Sequence, residues 1–150
     1  MLDSLQDLTR LAEQIRRKKR KIVFTNGCFD LLHPGHVELL EKAKTYGHLL
    51  IVGVNSDQSV KRLKGSGRPV LKLKDRLRLV AALAAVDYVI GFDTDTPLYL
   101  IQALRPDVLV KGSDWKAKDM VGRKFAKRSV RVKLLDGFST TTLLSKIRQD

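Results

Sequence analysis

The sequence predicts a single doubly wound α/β domain of Rossmann-like type, built on a five-stranded parallel sheet. Three observations point there. The candidate strands, such as Ile22-Val23-Phe24-Thr25 and Leu49-Leu50-Ile51-Val52, are short apolar runs without polar alternation, the pattern of strands covered on both faces. Segments with helical periodicity separate them, which is the order that yields a parallel sheet. A chain of 150 residues, 43% of them hydrophobic, has material for one core and not two.

Leu5, Leu8, Leu11, Ala12 and Ile15 recur at helical spacing, so residues 1–20 are expected to form a basic amphipathic helix on the edge of a domain made by residues 21–150. The first strand ends at the turn signal Asn26-Gly27. A helix opening near Gly35 or His36 turns Val37, Leu39, Leu40 and Ala43 inward and stops at Gly47, and residues 49–54 form the second strand. Ser56 or Asp57 caps a short helix to Leu63. The glycine- and lysine-rich stretch 64–74 reads as a mobile loop. Leu77, Leu79, Val80, Leu83 and Ala84 describe a helix from Asp75, followed by a strand at Tyr88-Val89-Ile90. Pro97 suits the first turn of a helix to about Leu104. A strand at 107–110, a helix around 118–127, a strand at 130–134 and a last helix from Thr140 or Thr141 complete the chain. Ligands of such folds bind beyond the carboxyl ends of the strands, where the strand order reverses.

Charge and cysteine content narrow the function. Against 16 Asp+Glu stand 29 Lys+Arg, a formal net charge of +13, which favours anionic partners. Six consecutive cations run from Arg16 to Lys21; at a helix end they complement the dipole. Nucleic acid is not the expected partner, because no aromatic residues interleave with the basic runs as a stacking platform would. The single cysteine, Cys28, leaves no intramolecular disulfide and no cysteine-clustered zinc site. The longest apolar runs, such as Leu79 to Val86, are too short to span a bilayer. A soluble cytoplasmic protein without a membrane partner is expected.

The first strand leads straight into Asn26-Gly27-Cys28-Phe29-Asp30-Leu31-Leu32-His33-Pro34-Gly35-His36. His33 and His36 are three apart at a helix start, so both imidazoles can face one point together with the free N–H groups of the first turn. That suits a phosphate. Gly35 lets backbone approach a ligand, and Pro34 presets the first turn without losing a needed donor. A zinc site is the competing reading of a histidine pair, but only Asp30 and Glu38 could add ligands.

This segment resembles the H-x-G-H signature of the cytidylyltransferase-like nucleotidyltransferase superfamily. Leu109-Val110-Lys111-Gly112-Ser113-Asp114-Trp115 is similar to that family's strand-end G-x-D-[WY] element, and Gly137-Phe138-Ser139-Thr140-Thr141 to its G-[IYF]-S-T-T element opening the final helix. The resemblance covers about residues 21–148. Within the superfamily the segments 24–30, 52–57 and 105–112, with the helix start Thr96-Pro97, are most similar to the adenylyltransferase module of bacterial ADP-heptose synthases. Leu134 stands where glycerol-3-phosphate cytidylyltransferases carry an arginine. The sugar-kinase domain that often precedes the module is not in this sequence, so either a separate kinase upstream in the pathway supplies the sugar 1-phosphate, which is the expectation, or the true substrate differs.

The resemblance implies transfer of AMP from ATP to D-glycero-D-manno-heptose 1-phosphate with release of pyrophosphate, on the way to the lipopolysaccharide inner core. It implies catalytic roles for His33 and His36 on the triphosphate. Lys61, Arg62, Lys64 and Arg76 become mobile cations for the triphosphate or the sugar phosphate, with a merely solvated basic surface as the alternative. Asn26, Gly27, Cys28, Phe29, Lys111, Gly112, Asp114 and Phe138 would hold the nucleotide. Ser139, Thr140 and Thr141 would bind phosphate while capping the last helix. Asp30 would hold an imidazole or a substrate hydroxyl, and Asn55 would touch substrate. Mg²⁺ is expected to ride on the phosphates with few or no protein ligands, and a homodimer is expected. Two rivals stay open: a cytidylyltransferase acting on glycerol or another alcohol phosphate, and a non-catalytic nucleotide or nucleic-acid binder.

Overall fold

A computed structural model describes residues 1–112, 120–135 and 137–148. In chain order the elements are α1 (Leu5–Arg17), β1 (Ile22–Gly27), α2 (Pro34–Lys44), β2 (Leu49–Asn55), α3 (Asp57–Lys64), α4 (Leu73–Ala81), β3 (Tyr88–Phe92), α5 (Leu98–Leu104), β4 (Val108–Gly112), β5 (Arg128–Val132) and α6 (Thr140–Arg148). The five strands form one sheet in the order β3-β2-β1-β4-β5, and every pairing is parallel. The order reverses between β1 and β4, so the switch point lies where β1 runs into the histidine segment.

The central strands β1, β2 and β4 are apolar over most of their length because both faces are covered. Val23, Leu50 and Val52 pack under α2 and α4 with Leu39, Leu40, Leu77 and Val80. Their neighbours Phe24, Ile51 and Leu109 turn to the other face and meet Leu8, Ala12 and Ile15 of α1 and Leu100, Ile101 and Leu104 of α5. Side chains alternate across a strand, so consecutive apolar residues feed two cores. Thus α1 supplies one wall of a core, and its Leu8 and Ala12 are fully buried. Ser4 caps it by accepting from the Asp7 amide at 3.1 Å.

Several expected boundaries move. The loop before α4 ends sooner, since Lys72 already serves as its N-cap residue. The helix expected around 118–127 is absent from its described part, where only a 3-10 turn occurs at Arg123–Phe125; residues 118 and 119 lie outside the described residues. The last strand begins at Arg128, not Val130, because pairing with β4 in the register Val108↔Arg128 determines its start. Its first residues are polar, Arg128 exposed and Ser129 half-buried on this edge strand, which hides them from a reading of apolar runs. No described helix is long and apolar enough to cross a membrane.

The turn from α2 into β2 is tight. A Cβ at Gly47 would sit 2.6 Å from Val23 Cγ2 and 3.1 Å from the Lys21 carbonyl oxygen. Gly47→Ala is therefore expected to cost about 1–3 kcal/mol by overpacking. The check is urea unfolding at equilibrium; an unchanged midpoint would mean that this turn opens freely.

Candidate active site

The site begins with what β1 does at its end. Phe29 follows the strand in the left-handed region, φ 47°, a costly conformation for an aromatic residue. Its ring is buried and occupies the space beside Gly27, where a Cβ would lie 3.1 Å from Phe29 Cε2. The chain then reaches His33, the N-cap residue of α2 in extended conformation, with Pro34 in the first turn. The His33 carbonyl accepts from the His36 amide at 2.9 Å.

This turn stacks the two imidazoles, centroids 3.8 Å apart and planes 22° apart. Phe29 leans on His36 at 5.1 Å, and Phe138 lies 6.5 Å from the His33 ring. Gly35 proves to serve the ring as much as any ligand. A Cβ there would come within 3.1 Å of His33 Nδ1 and 3.6 Å of Phe138 Cβ. The same contact shows that the starts of α2 and α6 converge on the histidines. The positive ends of two helix dipoles thus meet in one region, an electropositive setting for phosphate. Among the described residues, Nδ1 of His33 and Nδ1 of His36 are buried without hydrogen-bond partners. Buried polar atoms of this kind are uncommon in folded proteins and suit a ligand contact.

Beside the segment that follows β1 lies a guanidinium with no exposure at all. Arg76 is 0% exposed; it donates from Nη1 to the carbonyls of Cys28 (2.6 Å) and Asn55 (2.7 Å), from Nε to that of Leu71 (2.9 Å), and from Nη2 to Asp57 (2.7 Å). The expectation of a mobile cation is corrected: Arg76 is a fixed tie between the ends of β1 and β2 and the start of α4. Asp30 is likewise committed. One of its oxygens accepts from the amides of Val70 (2.7 Å) and Leu71 (3.1 Å), and the other from Arg68 Nε (2.5 Å). It holds down the basic loop and does not hold an imidazole. Arg62 is turned to Asp95 at 2.7 Å and to the Asp93 carbonyl, bracing the segment after β3. Asn55 donates to Ser59 Oγ at 2.9 Å and is buried, which commits its amide to α3.

Lys61 and Lys64 are exposed at the end of α3, the state a substrate cation needs. Lys64 is near enough to Cys28 to act on its thiol. Burial pushes that pKa up, and Lys64, Arg76 and Arg68 oppose the rise. Lys111 donates to Asn26 Oδ1, joining the ends of β4 and β1 at the switch point. Gly112 closes β4 and is buried; Asp114 lies outside the described residues. Ser139 Oγ accepts from the Thr142 amide at 3.0 Å, so the capping half of the expectation for Ser139, Thr140 and Thr141 is in place. Phe138 is 43% exposed. Sequence reasoning missed Arg68 as the partner of Asp30 and Asp57 as the partner of Arg76, because neither pair is close in sequence.

Among the described residues no group of three or more His, Cys, Asp and Glu side chains is placed to hold a metal ion. Open cavities of about 410 and 350 Å³ lie beside Met120, Arg123 and Arg128 and not at the histidines.

Burial lowers the pKa of His36 from 6.5 to about 4, with His33 adding to the shift, and burial lowers that of His33 as well. Both rings are neutral at pH 7. The unfolded chain takes up a proton near pH 6.5 while folded His36 does not, so stability is lost as pH falls from about 6.5 to about 4 and is constant below that for this group. The expected loss is on the order of 2–3 kcal/mol. Urea unfolding of the wild type and of His36→Gln across this interval should show the difference between them change by that amount; a constant difference would remove His36 as the titrating group.

Comparison with known proteins agrees with this geometry. Residues 24–142 match the cytidylyltransferase-like family. The chain is 53% identical over 142 residues to the bifunctional protein HldE of Helicobacter pylori (strain G27), covering 95% of this chain and 31% of that protein. It is 51% identical over 146 residues to the bifunctional protein HldE of Wolinella succinogenes, covering 97% and 30%. The chain thus spans under a third of the length of these relatives. Among solved structures, the lipopolysaccharide core biosynthesis protein from Thermoplasma volcanium GSS1 superposes with a TM-score of 0.68 at 25% identity, over 78% of this chain and 99% of that one. A pantoate-beta-alanine ligase from Francisella tularensis, at 15% identity and a TM-score of 0.64, covers 99% of this chain and 79% of its own and shares the fold. With its histidine segment, its switch point and this match over most of its length, the chain belongs to the cytidylyltransferase-like family of nucleotidyltransferases.

Proposed function

We propose that the chain transfers AMP from ATP to a sugar 1-phosphate, D-glycero-D-manno-heptose 1-phosphate, releasing pyrophosphate and forming ADP-heptose. The observation that carries this reading is the stacked His33–His36 pair between two helix starts, with its unpartnered buried nitrogens. The relatives named HldE and the lipopolysaccharide core biosynthesis protein support the choice of sugar. Leu134 packs against the core, so the position at which glycerol-3-phosphate cytidylyltransferases carry an arginine here offers no charge to a triphosphate.

A phosphate oxygen of the sugar 1-phosphate attacks the α-phosphorus of ATP in line. The bond from that phosphorus to the oxygen bridging to the β-phosphorus breaks, and the electron pair leaves with pyrophosphate. The protein's part is positioning and charge stabilisation. Each neutral imidazole can donate one N–H to a phosphoryl oxygen, and these bonds strengthen as charge moves onto the leaving group. The amides at the starts of α2 and α6 would add donors, and Asn26, Gly27, Cys28, Phe29, Lys111, Gly112 and Phe138 would hold the nucleotide. Lys61 and Lys64 are the cations left to meet the second phosphate. The described residues do not form a cage for Mg²⁺; in this reading it arrives on the triphosphate, and no step rests on it. A sugar kinase must supply the substrate, the reaction belongs in the cytoplasm, and the working form is a homodimer.

Pyrophosphate release from ATP, CTP, GTP and UTP, each against a panel of sugar and alcohol phosphates, tests the assignment. The expected result is turnover with heptose 1-phosphate and a preference for ATP over CTP of at least about tenfold in kcat/KM, or roughly 1.4 kcal/mol. A preference for CTP with glycerol phosphate would move the chain to the cytidylyltransferase branch. His33→Ala and His36→Ala should each lower kcat by about 10²-fold or more with the fold intact; near wild-type turnover would take them out of the chemistry.

A further inference from the structure

The basic residues that the site does not use gather at the opposite end of the sheet. In a parallel sheet all strand starts share one edge, and here each of four adjacent starts brings cations. Arg16 to Lys21 lead into β1, and all six are exposed. Lys44 precedes β2, Arg105 precedes β4, and Lys127 with Arg128 opens β5. Hydrogen bonds join them into one surface. Arg16 donates to the carbonyls of Leu104 and Arg105, and the Lys21 amide donates to His48 Nδ1 at 2.9 Å. Lys127 meets Asp107 at 2.6 Å, and Lys44 meets both the His48 carbonyl and Asp87.

The carboxylates at this end are already spent. Asp107 accepts from the Ile22 amide and from Lys127, and Asp87 accepts from the Leu50 amide and from Lys44. Arg17, Lys18, Lys19 and Arg20 are exposed, and among the described residues none of them is ion-paired with a carboxylate. Four neighbouring strands spread the charge over about 15 Å, a broad pole and not a single row.

We propose that this pole docks the protein on a bilayer containing anionic phospholipids. The shape of the charge favours this partner over a nucleic acid. Tyr46 at this end is half-buried with the Arg128 guanidinium 5.6 Å over its ring, and the exposed His48 is held by the Lys21 amide, so neither ring is set out as a platform for bases, and the cations come from loops and helix ends. The apolar face of α1 is consumed by the core, so the contact is electrostatic without insertion, the mode by which polybasic clusters adsorb to acidic leaflets. Sequence reading expects no membrane partner because it sees no spanning segment. The gathering of the cations at one end, visible only in the fold, adds a peripheral contact. Docked this way, the histidine site faces away from the lipid and stays open to soluble substrates.

Sedimentation of the full chain with phosphatidylcholine vesicles, with and without phosphatidylglycerol, at rising NaCl tests the proposal. Binding should need phosphatidylglycerol and fall at least about tenfold as salt shortens the screening length. A variant with Arg17→Glu, Lys18→Glu and Arg20→Glu should lose binding by a similar factor, and the milder set with Gln at the same positions should lose part of it, both keeping the wild-type melting temperature. Lys61→Glu with Lys64→Glu, at the other end, should bind as the wild type does. Equal binding to neutral vesicles, equal loss in the Lys61 and Lys64 variant, or displacement from vesicles by random-sequence duplex at equal phosphate concentration would overturn the proposal. None of these outcomes depends on which nucleotide or sugar the enzyme uses.

Discussion

A guanidinium buried without any exposure holds the working end of this molecule together. Arg76 donates to the carbonyls of Cys28, Asn55 and Leu71 and to the carboxylate of Asp57. Those partners belong to the segment after β1, the end of β2, the loop before α4 and the first turn of α3. Carbonyls at strand ends have no further strand residue to bond them, and leaving them buried and unmet would cost about 1–3 kcal/mol each. A planar five-donor fork can meet several at fixed angles, which a lysine ammonium cannot. With Cys28 anchored, the chain turns through Phe29 into the left-handed region, and the histidines arrive at the start of α2.

Around that anchor the cations divide into kinds by what they touch. Arg76, Arg68 and Arg62 are spent on backbone carbonyls or carboxylates. Lys61 and Lys64 are left in solvent near the site, and Arg17 to Arg20 at the other end. A net charge of +13 therefore does not spread as one field. Arginine takes the structural posts because its fork satisfies several acceptors at once, while the exposed positions near the site are lysines, whose compact ammonium moves freely.

The histidine pair has a different logic. Burial lowers the pKa of both rings, and at His36 the neighbouring His33 adds to it, so the site is not a permanent double cation. An anion brought between the two helix starts meets N–H groups already in place, with little reorganisation left for the reaction itself. Gly35 favours the stack, since a Cβ there would press on the His33 ring at 3.1 Å.

The sequence by itself was enough for the parallel α/β domain, because strands covered on both faces must be apolar at every position, and Ile22 to Phe24 and Leu49 to Val52 are. It also located the histidine segment, whose geometry is local: His33 and His36 meet within one helical turn, and Ser139 caps the helix it opens. What the sequence left undecided was non-local. Whether Arg76 was a mobile cation or a buried tie depended on carbonyls 21 and 48 residues away, and Asp30 found its partners 38 to 41 residues on. The polar start of β5 could be recognised only from its register against β4. Local order follows from the chemistry of neighbouring residues, but the partner of a buried charge is chosen by the packing of the whole sheet, and only the tertiary structure decided that.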